Sequence, residues 1–134
     1  MALAIRALHR ADKSDLLNEE WILIENTGPG AQSAQGCTIS VARGKGQRPS
    51  QIGTPLVPGF VLQVGEKVRI VTGSPSKKSQ GTPPAEEDGV KNYHLFHREP
   101  VLTRPGQIIV ISLKQLELAR VAFAPDKDGG IAPA

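Results

Sequence analysis

The residues best suited to chemistry in this chain are His94 and His97, in Tyr93-His94-Leu95-Phe96-His97. Glu99 follows two positions on, and Glu86, Glu87 and Asp88 lie just upstream. Imidazole and carboxylate are zinc-type ligands. On an extended strand, however, residues three apart point to opposite faces, so the two histidines could share an ion only across a turn or bulge. No metal site is expected. Cys37 is the single cysteine, which excludes an internal disulfide and a Cys-x-x-Cys zinc site. Without a neighbouring Lys or Arg, it is expected to be a buried structural thiol and not a nucleophile. Glu19 and Glu20 are adjacent, and neighbours on a strand diverge, so they make a poor acid–base pair. Gly44-Lys45-Gly46 lacks the glycine spacing and the following Ser or Thr of a phosphate-cradling loop, and no Gly-x-Ser-x-Gly elbow occurs. The expectation is a protein that is not an enzyme and uses no cofactor.

A second set of residues is suited to binding. Arg43, Lys45 and Arg48 are interspersed with glycine in the segment 42–48, and Lys77 and Lys78 form a second basic cluster. The net charge is +3 and the sequence pI is about 9.2. Such cations can follow a phosphate backbone, with affinity falling as salt rises. They can equally be solvated loop charges that keep a small β-protein soluble. No aromatic residue is interleaved with 42–48, so stacking on single-stranded bases is not indicated.

The elements that must position these residues are short. The 134 residues fit one domain, and 14 Gly with 11 Pro suit many strands joined by turns. Period-two patterning predicts strands over about 3–8, 18–26, 36–42, 51–52, 58–62, 67–72, 92–97, 107–113 and 118–123. Thr27-Gly28-Pro29-Gly30 and Arg104-Pro105-Gly106 are turn signals. The stretch 74–90 has neither strand nor helix period and is expected to be a long flexible loop, and the tail 125–134 to be disordered. Eight or nine short strands without a long helix argue for an all-β sandwich. No run approaches the roughly 18 apolar residues that span a bilayer, and the N-terminus lacks signal-peptide features. A cytoplasmic, bacterial setting is the expectation.

Two stretches carry a family resemblance. Leu17-Asn18-Glu19-Glu20-Trp21-Ile22-Leu23-Ile24-Glu25-Asn26-Thr27-Gly28, with Gly36-Cys37-Thr38-Ile39 downstream, resembles the opening of a lamin tail domain. Leu62-Gln63-Val64-Gly65-Glu66-Lys67-Val68-Arg69-Ile70-Val71-Thr72-Gly73 is similar to that family's second signature. The resemblance covers about 3–123 and implies an immunoglobulin-like β-sandwich over 1–124, used as a binding or assembly module. Cys37 stands where the family places a Trp, a gap that Trp21 or Phe60 could fill. Leu23, Ile108 and Val110 also depart from the pattern, standing where the family tends to have polar residues. A strand apolar on both faces normally has both faces covered. Trp21, Leu23, Ile108 and Val110 are therefore the candidate protein-interface residues, either for self-assembly or for another chain. The expected function is a non-catalytic scaffold or adaptor. A weak, mainly electrostatic nucleic-acid binder using Arg43, Lys45, Arg48, Lys77 and Lys78 is the alternative.

Overall fold

A computed structural model describes residues 3–52, 61–114 and 116–134. The strands found there are β1 (Leu3–His9), β2 (Trp21–Asn26), β3 (Gln32–Ser33), β4 (Cys37–Ala42), β5 (Ser50–Gln51) and β6 (Val61–Leu62). They continue with β7 (Lys67–Val71), β8 (Lys91–His94), β9 (Ile108–Leu113), β10 (Leu116–Phe123) and β11 (Ile131–Ala132). They form a four-stranded sheet in the order β1-β2-β7-β8, a five-stranded sheet in the order β11-β10-β9-β4-β5, and a small pair of β3 with β6. The fold is β-rich, with helical structure among the described residues limited to three-residue 3-10 turns. None of these is long and apolar enough to cross a membrane.

Alternation along each strand decides which side chains enter the core. In β2, Ile22 and Ile24 are 3% and 1% exposed while Trp21, Leu23 and Glu25 are half-buried on the other face. In β9, Ile109 and Ile111 are fully buried, and they share one apolar cluster with Ile22, Ile24, Ile70, Cys37, Leu102 and Phe123. Both large sheets thus contribute to a single core, with each fully buried aliphatic contributing roughly 1.5–3 kcal/mol. Cys37 lies inside this cluster, and burial pushes its thiol pKa up, away from nucleophilic use. Trp21 lies on the opposite face of its sheet from Ile22 and does not fill the space beside Cys37. The other candidate for that role, Phe60, lies outside the described residues, as does the 58–60 part of the strand expected over 58–62.

Several expectations change. Residues 18–20 are not strand: Leu17–Glu19 is a 3-10 turn, and Asn18 and Glu20 are buried polar residues engaged in hydrogen bonds. The stretch 74–90, expected to be a flexible loop, has a topological reason for its length. β8 runs parallel to β7, and a parallel neighbour requires a crossover back to the starting end. Polar side chains fasten this crossover. Asn18 Nδ2 faces the carbonyls of Ser74 at 2.8 Å and Gly81 at 3.0 Å, and Ser74 N donates to Gln80 Oε1 at 2.7 Å. Further along, Asn92 Nδ2 donates to Pro84 O at 2.6 Å.

The tail 125–134, expected to be disordered, turns through Asp128–Gly130 and pairs as β11 with Ala122 and Phe123 of β10. Gly129 and Gly130, both at φ 70°, lie against the carbonyls of Arg6 and Leu8 in β1. Only glycine combines that backbone conformation with so close an approach, so the tail joins the edges of the two large sheets.

Candidate nucleic-acid interface

The register of the strands brings many loops to one end of the molecule. In the four-stranded sheet, His9 at the end of β1 pairs with Trp21 at the start of β2, which pairs with Val71 at the end of β7, which in turn pairs with His94 at the end of β8. In the five-stranded sheet, Ala42 ends β4 opposite Ile108, the first residue of β9. The segment 95–107 links the two sheet ends, and two buried side chains hold it. Glu20 accepts from Thr72 Oγ1 at 2.7 Å, Val101 N at 2.8 Å and Leu102 N at 3.0 Å. Gln107 Oε1 accepts from Thr103 N at 2.8 Å and Arg104 N at 3.1 Å, while its Nε2 donates to Val101 O at 3.0 Å. Four successive amides, 101–104, thus have side-chain acceptors, which fixes the backbone at Arg104.

This arrangement joins the two basic clusters that the sequence keeps apart. Arg43 and Arg104 line an open cleft of about 750 Å³ together with Ser50, His97 and Glu99. The same segment is tied to a second one: the His97 carbonyl accepts from Gln80 Nε2 at 3.4 Å, and Gln80 closes the 3-10 turn that begins at Lys78. The segments 43–52 and 74–81 therefore both border 94–104, and the three carry Arg43, Lys45, Arg48, Lys77, Lys78, Arg98 and Arg104, all exposed, with Glu99 their one carboxylate, while Asp12 lines a neighbouring cavity with Pro100, Leu102 and Thr103. Glu19 adds a carboxylate beside Gly81. Among the described residues the ion pairs are Arg6–Glu25 and Arg120–Glu117, neither of which involves these cations.

The four apolar candidates are not brought together. Ile22 and Ile24 share the core with Ile109 and Ile111, so Trp21 and Leu23 lie on the outer face of one sheet, and Ile108 and Val110 on the outer face of the other. Ile108 and Val110 are 4% and 5% exposed, in a small cluster with Ala42. Trp21 is flanked by its strand neighbours: the His9 ring stacks on it at 5.1 Å from β1, and the Arg69 guanidinium lies over it at 5.5 Å from β7. Leu23 lines a groove of about 500 Å³ where Pro84 and Val90 of the crossover approach the sheet.

The two candidate metal-binding histidines are aimed at different surroundings. His94 Nδ1 lies 3.0 Å from the Gly73 carbonyl and stands as its donor, whereas His97 Nε2 is buried without a hydrogen-bond partner. Among the described residues, no three His, Cys, Asp or Glu side chains group as ion ligands. Glu19 and Glu20 diverge, one toward Gly81 and the other toward Val101. A residue that sequence patterning missed is Phe96, which is 63% exposed at this same end. Its signal was the break in alternation at Leu95-Phe96-His97.

The basic end depends on a tight polar joint. A Cβ on Gly73 would stand 2.6 Å from Asn18 Oδ1 and 2.8 Å from Gln80 Oε1, the two side chains that secure the 74–81 turn. Gly73→Ala is therefore expected to cost about 2 kcal/mol through overpacking, read as a lowered urea midpoint. An unchanged midpoint would show that this joint is not tight. Compared with models of known protein families and with curated proteins, the chain matches none.

Proposed function

We propose that this chain is a non-catalytic binding module with a lamin-tail-like, immunoglobulin-like β-sandwich, and that its basic end docks on the phosphate backbone of a nucleic acid. The observation that carries the reading is the convergence of exposed cations from three separate segments onto one end, none of them in either ion pair formed among the described residues. Cations left unpaired on one surface are the electrostatic footprint of a polyanion site. The candidate apolar patch offers less support, because its residues divide between two faces and half of them are buried. Among the described residues the exposed large apolar side chains are Val61, Val64, Phe96 and Leu116, none of which is one of the four candidate interface residues.

A salt titration tests the reading. Binding to mixed-sequence DNA is expected to fall about 10²–10³-fold between about 50 and 200 mM salt for a surface that neutralises about five phosphates. Little preference for sequence should accompany it, since phosphate contacts position a protein without reading bases.

The groove beside Leu23 favours a second reading, a protein scaffold or adaptor that engages a partner or a second copy across the outer face of the four-stranded sheet. Salt-insensitive association at a fixed stoichiometry is the result that would select it over the first.

A further inference from the structure

We infer that the basic end takes single-stranded rather than duplex nucleic acid, with Phe96 as the platform on which an unpaired base stacks. The inference rests on the reading of that end as a nucleic-acid surface and adds the class of strand it accepts.

The first observation is conformational. Phe96 has φ 58°, in the left-handed region that bulky side chains avoid. Its backbone is tied there from both sides: Leu95 N donates to Val71 O at 2.9 Å, Phe96 N to Gly73 O at 3.3 Å, and His97 N to Thr72 O at 2.9 Å. The chain thus keeps its hold on the end of β7 while the phenyl ring is turned out, 63% exposed. Residues kept in sparsely populated backbone conformations cluster at ligand clamps and switch regions. Packing does not account for this one, because the ring is mostly in solvent.

The second observation is position. Phe96 immediately precedes His97, whose carbonyl accepts from Gln80, the residue that closes the turn carrying Lys78, and which lines the cleft with Arg43 and Arg104. Arg98 follows in sequence. An exposed aromatic side chain on the segment that both groups of cations border matches what a single strand requires, namely charge that tracks the backbone and a ring for a base. Duplex DNA keeps its bases stacked inside and gives an outward phenyl no partner. The His94 ring, 6.2 Å away and tilted by 45°, stands beside Phe96 as a neighbouring planar group.

The experiment compares a short mixed-sequence DNA oligonucleotide with the same sequence as a duplex, by fluorescence anisotropy at low salt, for the wild type, Phe96→Asn and Phe96→Trp. Asn tolerates the left-handed conformation, so Phe96→Asn is expected to hold or raise the urea midpoint, with Phe96→Gly as a second variant should Asn fail to fold. Single-strand affinity should drop about 5- to 100-fold in Phe96→Asn, as loss of one base–aromatic stack requires. Duplex affinity should change less than about twofold, and Phe96→Trp should retain single-strand binding. Unchanged single-strand binding in Phe96→Asn, or an equal loss on both forms, overturns the stacking role while leaving salt-dependent backbone binding in place. A wild type that binds neither form overturns both this inference and the proposed function beneath it.

Discussion

Replacing Arg43, Lys45, Arg48, Lys77 and Lys78 together by Gln is expected to lower nucleic-acid affinity about 10³-fold near 0.1 M salt and to flatten its salt dependence by about 3.5–4.5 in log–log slope. Counterion release sets both magnitudes, since each cation that neutralises a phosphate contributes about 0.7 to the slope on a single strand and about 0.9 on a duplex. All five side chains are exposed and belong to neither of the ion pairs formed among the described residues. The folded state should therefore lose no more than about 0.5 kcal/mol per substitution, which a urea titration of the variant checks. Dividing the set is the sharper version. The structure joins the clusters through the His97 segment, so both the Arg43/Lys45/Arg48 variant and the Lys77/Lys78 variant should weaken the same complex. If one cluster can be neutralised with no change in affinity or slope, the two do not serve one ligand, and the convergence has no functional meaning.

Local features of this site were visible in the sequence, but their assembly was not. The strand periods of Ile22/Ile24 and Ile109/Ile111 follow from two-residue alternation, which depends on nothing beyond the pleat. The basic clusters were visible as composition. Their meeting depends on β8 lying parallel to β7, a pairing that no local pattern specifies, and on Glu20 and Gln107 holding the amides of 101–104. Alternation places Glu20 on a strand over 18–26, because a local pattern cannot show that two backbone amides from 81 and 82 residues away will meet it. The stretch 74–90 lacks periodicity because its order comes from Asn18, Gln80 and Asn92 side chains in place of a ladder. Val110 looked like an outward docking residue for a related reason. Alternation correctly puts it on the outer face of its strand, but its burial there beside Ala42 and Ile108 is a tertiary fact. The outward turn of Phe96 is not legible locally, because an aromatic side chain at positive φ is set by the bonds its neighbours make to β7, not by its own preference.

Glu20→Ala should be the most damaging single substitution at this end. The side chain is 1% exposed and accepts from a hydroxyl and two backbone amides. Truncation leaves those donors buried without an acceptor at about 1–3 kcal/mol each, less whatever water reaches them, for a net loss of about 3–5 kcal/mol. A drop in melting temperature of roughly 10–20 °C is the corresponding thermal readout for a domain of this size. Glu20→Gln keeps the shape and one acceptor but turns an amide N–H toward a former donor, so about 1–3 kcal/mol is expected. The two variants also separate by pH. Burial pushes the Glu20 carboxyl above its ordinary value of 4.5, although Thr72, the Val101 and Leu102 amides and the charge of His97 pull the other way. A carboxyl with a raised pKa binds its proton more tightly in the folded state, so its contribution is fully present below about pH 4.5 and is lost as pH rises through the folded value. Gln has no such titration. The stability gap between wild type and Glu20→Gln should therefore be widest in acid and narrow toward neutrality, measured by urea unfolding across that range. A gap that widens with pH would mean that the three donors outweigh desolvation and hold the carboxylate ionised. Glu20 would then be an anion bound by the 101–102 turn, and not a buried acid that tolerates its charge.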